Sequence, residues 1–300
     1  MNWFGKTRAI IAFPSHLKTD DEGFNFLAYL QKETEGKLTY VLDFSSVEWV
    51  EANLCAVIGA IILYNQTKGA YFEFENLNNN YLKNTLKNNG FLELIKKGKT
   101  KSTHKHSGIP FKEFDMKDED MVEEYIYKYV LLSDEVPEMS EAAKRKIYRS
   151  IFEVYQNSVI HSGAEKVFVC GQFYRYKKRM ALTMVEIGRT FKQNVNEYSK
   201  EYENYSAIES IEWAVQSGNS TKKDSTPGGL GIDLIREFLK LNRGKLQIFS
   251  SNGYWEEKKG TKFVKHCVNP FAGSIVNIEF NLFDTNTYIS TEEIDIKDIL

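Results

Sequence analysis

Cysteine is scarce in this chain: Cys55, Cys170 and Cys267 are the only three among 300 residues. An odd, widely spaced set excludes a disulfide framework and has no metal-site spacing; it suits a reducing compartment, here the cytoplasm. An excess of one charge is also missing. Lys and Arg total 39 against 41 Asp and Glu, a net −2, so no overall field draws the chain to nucleic acid or to a membrane surface. The longest apolar run, residues 54–64, has 11 residues where a membrane span needs about 20, and it reads as a buried helix. The first six residues lack a signal-peptide pattern. There is no internal repeat. No Lys-Ser/Thr follows a glycine run, which excludes a Walker P-loop.

What is present is ample material for packed cores, with 42% hydrophobic and 14% aromatic residues. A length of 300 residues predicts two domains. Periodicity predicts strands at 8–13, 38–44 and 70–75, and helices at 20–35, 52–67 and 79–88. This alternation is that of a small α/β domain over residues 1–98. Five lysines and two histidines crowd residues 96–107, and a basic linker is expected over 99–111. It lacks the interleaved aromatics of a nucleic-acid contact, so nucleic acid is not an expected partner. A second α/β domain is expected over 112–285, with a helix over 141–162, strands at 166–172 and 180–187, a helix to about residue 242, and strands at 245–250 and 273–282. Residues 286–300 read as a C-terminal tail.

Two segments of the second region carry chemistry. On a helix at about 100° per residue, Ile147, Ile151, Val154 and Ser158 form a stripe flanked by Tyr155 that should face a core. Glu153, Asn157 and His161 follow one another at i, i+4 and i+8 on a neighbouring face and could border a cavity. Mg²⁺ takes oxygen ligands and keeps several waters, so one amide oxygen plus substrate phosphates can hold it. A carboxylate one turn earlier could orient or deprotonate a nucleophile. The same spacing also suits a solvated helix face, and His161 suits a helix C-terminus stabilised by the dipole. The second segment is Gly228-Gly229-Leu230-Gly231 ahead of Ile232. A glycine loop opening a helix aims free N–H groups at whatever lies above it, a ready anion site. Upstream, Gly218, Ser220, Thr221 and Lys222 belong to a donor-rich stretch able to fold over a triphosphate as a lid.

In this order, residues 112–285 resemble the GHKL (Bergerat-type) ATPase superfamily. Glu153-x-x-x-Asn157-x-x-x-His161 matches its N box, and Gly218 through Gly231 matches its lid and second glycine box. The resemblance implies an α/β sandwich binding ATP and Mg²⁺. Asn157 would hold the metal, Glu153 would act as base, and Gly229 and Gly231 would cradle phosphates. The family's Asp-x-Gly-x-Gly segment corresponds to Glu186-Ile187-Gly188-Arg189-Thr190, where Glu186 keeps the carboxylate that meets the adenine amino group and Thr190 replaces a glycine. Its late Gly-Thr corresponds to Gly273-Ser274, with the hydroxyl kept. Residues 5–98 are similar to STAS domains of the anti-sigma-factor-antagonist type, through Leu42-Asp43-Phe44-Ser45-Ser46-Val47 and the apolar helix after it. Where switching STAS domains carry a phosphorylatable serine, this chain has Glu51-Ala52. The resemblances together imply a cytoplasmic regulatory ATP-binding protein, with a protein partner at the STAS-like module and homo-oligomerisation open. It would act as an ATPase or protein Ser/Thr kinase, as a nucleotide-dependent switch without catalysis, or as an interaction scaffold.

Overall fold

The computed structural model describes residues 8–36, 38–93, 108–136, 141–221 and 231–282. The chain is a mixed α/β protein built in layers. Strands β1 (Arg8–Ala12), β3 (Thr39–Asp43) and β5 (Tyr71–Glu75) form a parallel sheet in the order β1-β3-β5, while β2 (His16–Leu17) pairs with β4 (Trp49–Val50). Register places Ile11, Leu42 and Phe74 on one face, where they join the apolar core beneath helices α1 (Asp21–Glu33) and α2 (Cys55–Thr67). Asp20 starts α1 by accepting from the Gly23 N–H, and Asp21 and Glu22 suit the positive end of the helix dipole. Helix α2 follows a 3₁₀ turn (Ala52–Leu54) and is buried on all sides from Cys55 to Ile62, the signature of a helix between two packed layers. Helix α3 (Asn80–Asn88) is capped by Asn79.

The second layer is a five-stranded antiparallel sheet in the order β6-β7-β8-β10-β9, made of β6 (Gly108–Asp115), β7 (Lys166–Tyr174), β8 (Arg179–Glu186), β9 (Lys245–Lys258) and β10 (Thr261–Asn281). Strand alternation divides its faces. Met180, Leu182, Met184, Val276 and Ile278 point to one core, shared with α4 (Glu119–Ile126), α5 (Glu141–His161), α7 (Ala207–Ala214) and α8 (Gly231–Asn242). Phe168, Cys170, Val185, Phe249 and Ile275 point the other way and join the core of α1 and α2. Residues on both sides of the undescribed stretch 94–107 therefore share one apolar core. Among the described residues no helix is long and apolar enough to cross a membrane.

A polar seam runs through this boundary. Asn53 is fully buried; its amide nitrogen donates to Thr19 Oγ1 at 2.9 Å, Thr183 Oγ1 at 2.9 Å and Asn277 Oδ1 at 3.2 Å, and its oxygen accepts from Tyr174 at 3.0 Å. Arg179 pairs with both Glu51 and Glu279. Burial alone would push the Glu51 carboxyl up, but the Arg179 guanidinium and the bonds from Thr19 outweigh it and hold it below its ordinary value. The turn at Glu51-Ala52 is thus covered by the chain's own sheet, and the Ala52 carbonyl accepts from the Cys170 thiol at 3.3 Å.

Three features depart from expectation. Strand β6 begins at Gly108 and takes in residues 108–111, which the sequence assigns to the linker; Ile109 and Phe111 are fully buried against the sheet. Strands β9 and β10 run far beyond the expected 245–250 and 273–282, as a hairpin turning at Lys259-Gly260. Its outer arm leans on α1 through Lys265 to Asp21 and through Asn25, whose side-chain oxygen accepts from the Val268 and Asn269 N–H groups. Helices α6 (Phe191–Tyr198) and α7 fill the stretch between β8 and the proposed lid. Each opens with a capping box, Thr190 with Gln193 and Ser206 with Glu209.

Candidate functional site

Helix α5 buries Ile147, Ile151 and Val154 of the expected stripe together with the flanking Tyr155, whereas Ser158, expected on the same stripe, is half-buried and lines a cavity instead of the core. The next face of α5 borders this cavity, which is open to solvent and lined by Asn157, Ser158, His161 and Ser162. Asn157 is half-buried, and its side chain makes no hydrogen bond among the described residues. Glu153 stands one turn earlier, half-buried, and is not among the described lining residues.

The cavity floor is made by Glu186, at the end of β8, and Ser274, its register partner on β10. Ser274 Oγ donates to Glu186 Oε1 at 2.5 Å. Glu186 is 2% exposed, and its Oε2 has no partner. Burial pushes this carboxyl up to about 8, against the opposing effect of the bonds from Ser274. A buried acceptor without a donor costs free energy, and such atoms are rare in folded proteins. Gly188 makes room for it: a Cβ there would sit 2.4 Å from the Ser162 carbonyl oxygen and 3.1 Å from Glu186 Oε2.

Apolar walls rise from this floor. Val154, Val276 and Ile232 stand opposite residues of the α6–α7 insertion, Phe191, Val195 and Trp213. At the mouth, Arg189 donates through Nε to Asn194 Oδ1 at 2.8 Å and also pairs with Glu197. Asn194 donates to the His161 carbonyl at 2.9 Å, tying the end of α5 to α6. Ser220 and Thr221 line the mouth, Thr221 Oγ1 lying 3.0 Å from His161 Nδ1. Gly218 precedes them at a left-handed φ of +82°. Lys222, Gly228, Gly229 and Leu230 lie outside the described residues, and Gly231 is the first residue of α8.

The structure thus gathers Asn157, His161, Glu186, Ser220, Thr221 and Ser274 around one cavity. Arg189, Phe191, Asn194 and Trp213 join them without having been singled out as site residues. The capping box at Thr190 was the available signal for α6, which carries Phe191 and Asn194, and it also explains why threonine stands where the resemblance expects glycine: its side chain accepts from the Gln193 N–H. Trp255 belongs elsewhere, buried near the Arg236 guanidinium. Tyr125 and Tyr155 are packing residues whose hydroxyls donate to the Pro110 and Asp115 carbonyls. Among the described residues no three His, Cys, Asp or Glu side chains converge as a metal cage. No family model matches the chain, and no curated protein is significantly similar to it.

Proposed function

We propose that the cavity binds ATP with Mg²⁺ and that the chain is a regulatory ATP-binding protein of GHKL type with a STAS-like N-terminal module. The observation that carries this reading is the buried, partnerless Glu186 Oε2 at the floor of an apolar cavity whose rim includes the unbonded amide of Asn157. An exocyclic amino group of a base would supply the missing donor, and the walls suit a flat ring. Asn157 would lend its amide oxygen to the metal, which needs no further protein ligand when phosphates and water complete its shell. Bound Mg²⁺ would neutralise phosphate charge. Thr221, Ser220, Lys222 and the N–H groups at the start of α8 would face the phosphates. A cytoplasmic location belongs to the same proposal and rests on three buried, unpaired thiols.

Within this reading a nucleotide-dependent switch is favoured over an ATPase or kinase, because Glu153, the base that turnover would use, is not among the cavity's described lining residues. Isothermal titration with Mg·ATP tests the site. With Glu186 ionised, above about pH 8, one-to-one binding is expected, weakened about 10- to 100-fold in Glu186→Ala, the cost of one hydrogen bond to a charged group. Equal affinity in the variant would remove Glu186 from the base site.

A further inference from the structure

Glu186 differs from a simple acceptor in one respect. Its two oxygens are not equivalent: Oε1 takes the hydroxyl of Ser274 at 2.5 Å, and Oε2 is buried with nothing opposite it. With Ser274 donating to Oε1, the proton of the neutral acid resides on Oε2. The same atom is then a donor in the acid and an acceptor in the carboxylate. Among the described residues no fixed cation acts on either oxygen. Among the described residues the other charged or titratable groups lining the cavity are His161 from α5 and Arg189 from the turn after β8, both at its mouth, and Arg189 is held by Asn194 and Glu197. Glu186 aside, the described lining residues of the strands, α6, α7 and α8 are uncharged, among them Val195, Trp213, Ile232 and Val276. Burial is what keeps the carboxyl protonated near neutrality.

We propose that Glu186 reads the six-position of a purine in both protonation states, donating to a keto oxygen as the acid and accepting from an amino group as the carboxylate, so that the base preference of the cavity changes with pH. This rests on the nucleotide reading above. It extends the ligand class from adenine nucleotides to six-keto purine nucleotides, and a protein that met both would favour the keto base at lower pH.

The test compares Mg·ATP with Mg·ITP, which differ only in the six-position group and the N1 hydrogen that accompanies it. Both are titrated calorimetrically at about pH 6, 7 and 8; phosphate ionisation is common to the pair and cancels in the ratio of affinities. The preference for ATP over ITP is expected to rise about tenfold per pH unit, because one protonation favours one ligand and opposes the other. In Glu186→Gln the ratio becomes independent of pH. In Ser274→Ala, which removes the donor to Oε1, the crossover moves to higher pH. In His161→Gln the slope persists, whatever the affinity. A flat ratio in the wild type, or the same slope in Glu186→Gln, overturns the proposal while leaving nucleotide binding intact. Absence of binding by either nucleotide at every pH overturns the nucleotide reading itself.

Discussion

Arg179→Ala loses about 3–5 kcal/mol of unfolding free energy, because it leaves Glu51 buried without a counter-charge and Glu279 with Lys245 alone, 3.9 Å away. Glu51 and Glu279 both pair with this guanidinium, and the three side chains are 7–14% exposed. Glu51 also accepts from the Thr19 N–H at 2.8 Å, so it cannot swing out to water without breaking the backbone bond that seats the segment before α1. For a chain of this size the loss corresponds to a fall in Tm on the order of 10 °C. Chemical denaturation followed by circular dichroism measures it. A loss below about 1 kcal/mol, the value of an exposed ion pair, would mean that water enters the seam between α2 and the five-stranded sheet.

Glu186→Gln carries the second large effect, and its sign depends on pH. The folded-state carboxyl is raised by burial to about 8 from an ordinary value of 4.5. Below the ordinary value both states are protonated and nothing is lost. Between the two values the unfolded chain is ionised while the folded chain holds its proton, so wild-type stability falls by about 1.4 kcal/mol per pH unit from this group. Above about 8 the loss levels off, having reached a few kcal/mol. The glutamine variant lacks this slope and should exceed the wild type in stability at alkaline pH. Unfolding curves for both proteins across this range check it; parallel profiles would mean that Glu186 is hydrated. The wild-type residue therefore weakens the empty fold at a site where a ligand's donor would recover the cost, a common trade between stability and function.

Local sequence pattern carried much of this site. The stripe on α5 follows from helical period alone, and it fixes which way Asn157 and His161 point. Glu186 and Ser274 were each singled out through the resemblance, but that they face each other on neighbouring strands was not legible in either segment. What stayed hidden depends on long-range partners. Glu51 and Asn53 meet Arg179, Thr183 and Asn277, 128, 130 and 224 residues away, and no local period announces such contacts. The outer arm of the β9–β10 hairpin carries Lys262, Lys265, His266 and Pro270, a composition that reads as loop; it is a strand because its partner strand and α1 hold it. Helices α6 and α7 were legible in their capping boxes, yet short polar helices have weak apolar periodicity, and the cavity wall from Phe191 to Trp213 was missed with them.

The central claim is that this cavity takes a nucleotide through Mg²⁺ at Asn157. It is tested most directly by a thermal-shift titration with ATP, ADP and GTP, each with and without Mg²⁺, on the wild type and on Asn157→Ala. A ligand that binds only the native state must raise Tm. The prediction is a rise with ATP that depends on Mg²⁺ and disappears in Asn157→Ala. No shift with any nucleotide in the wild type would contradict the account and leave an interaction scaffold built around an empty cavity.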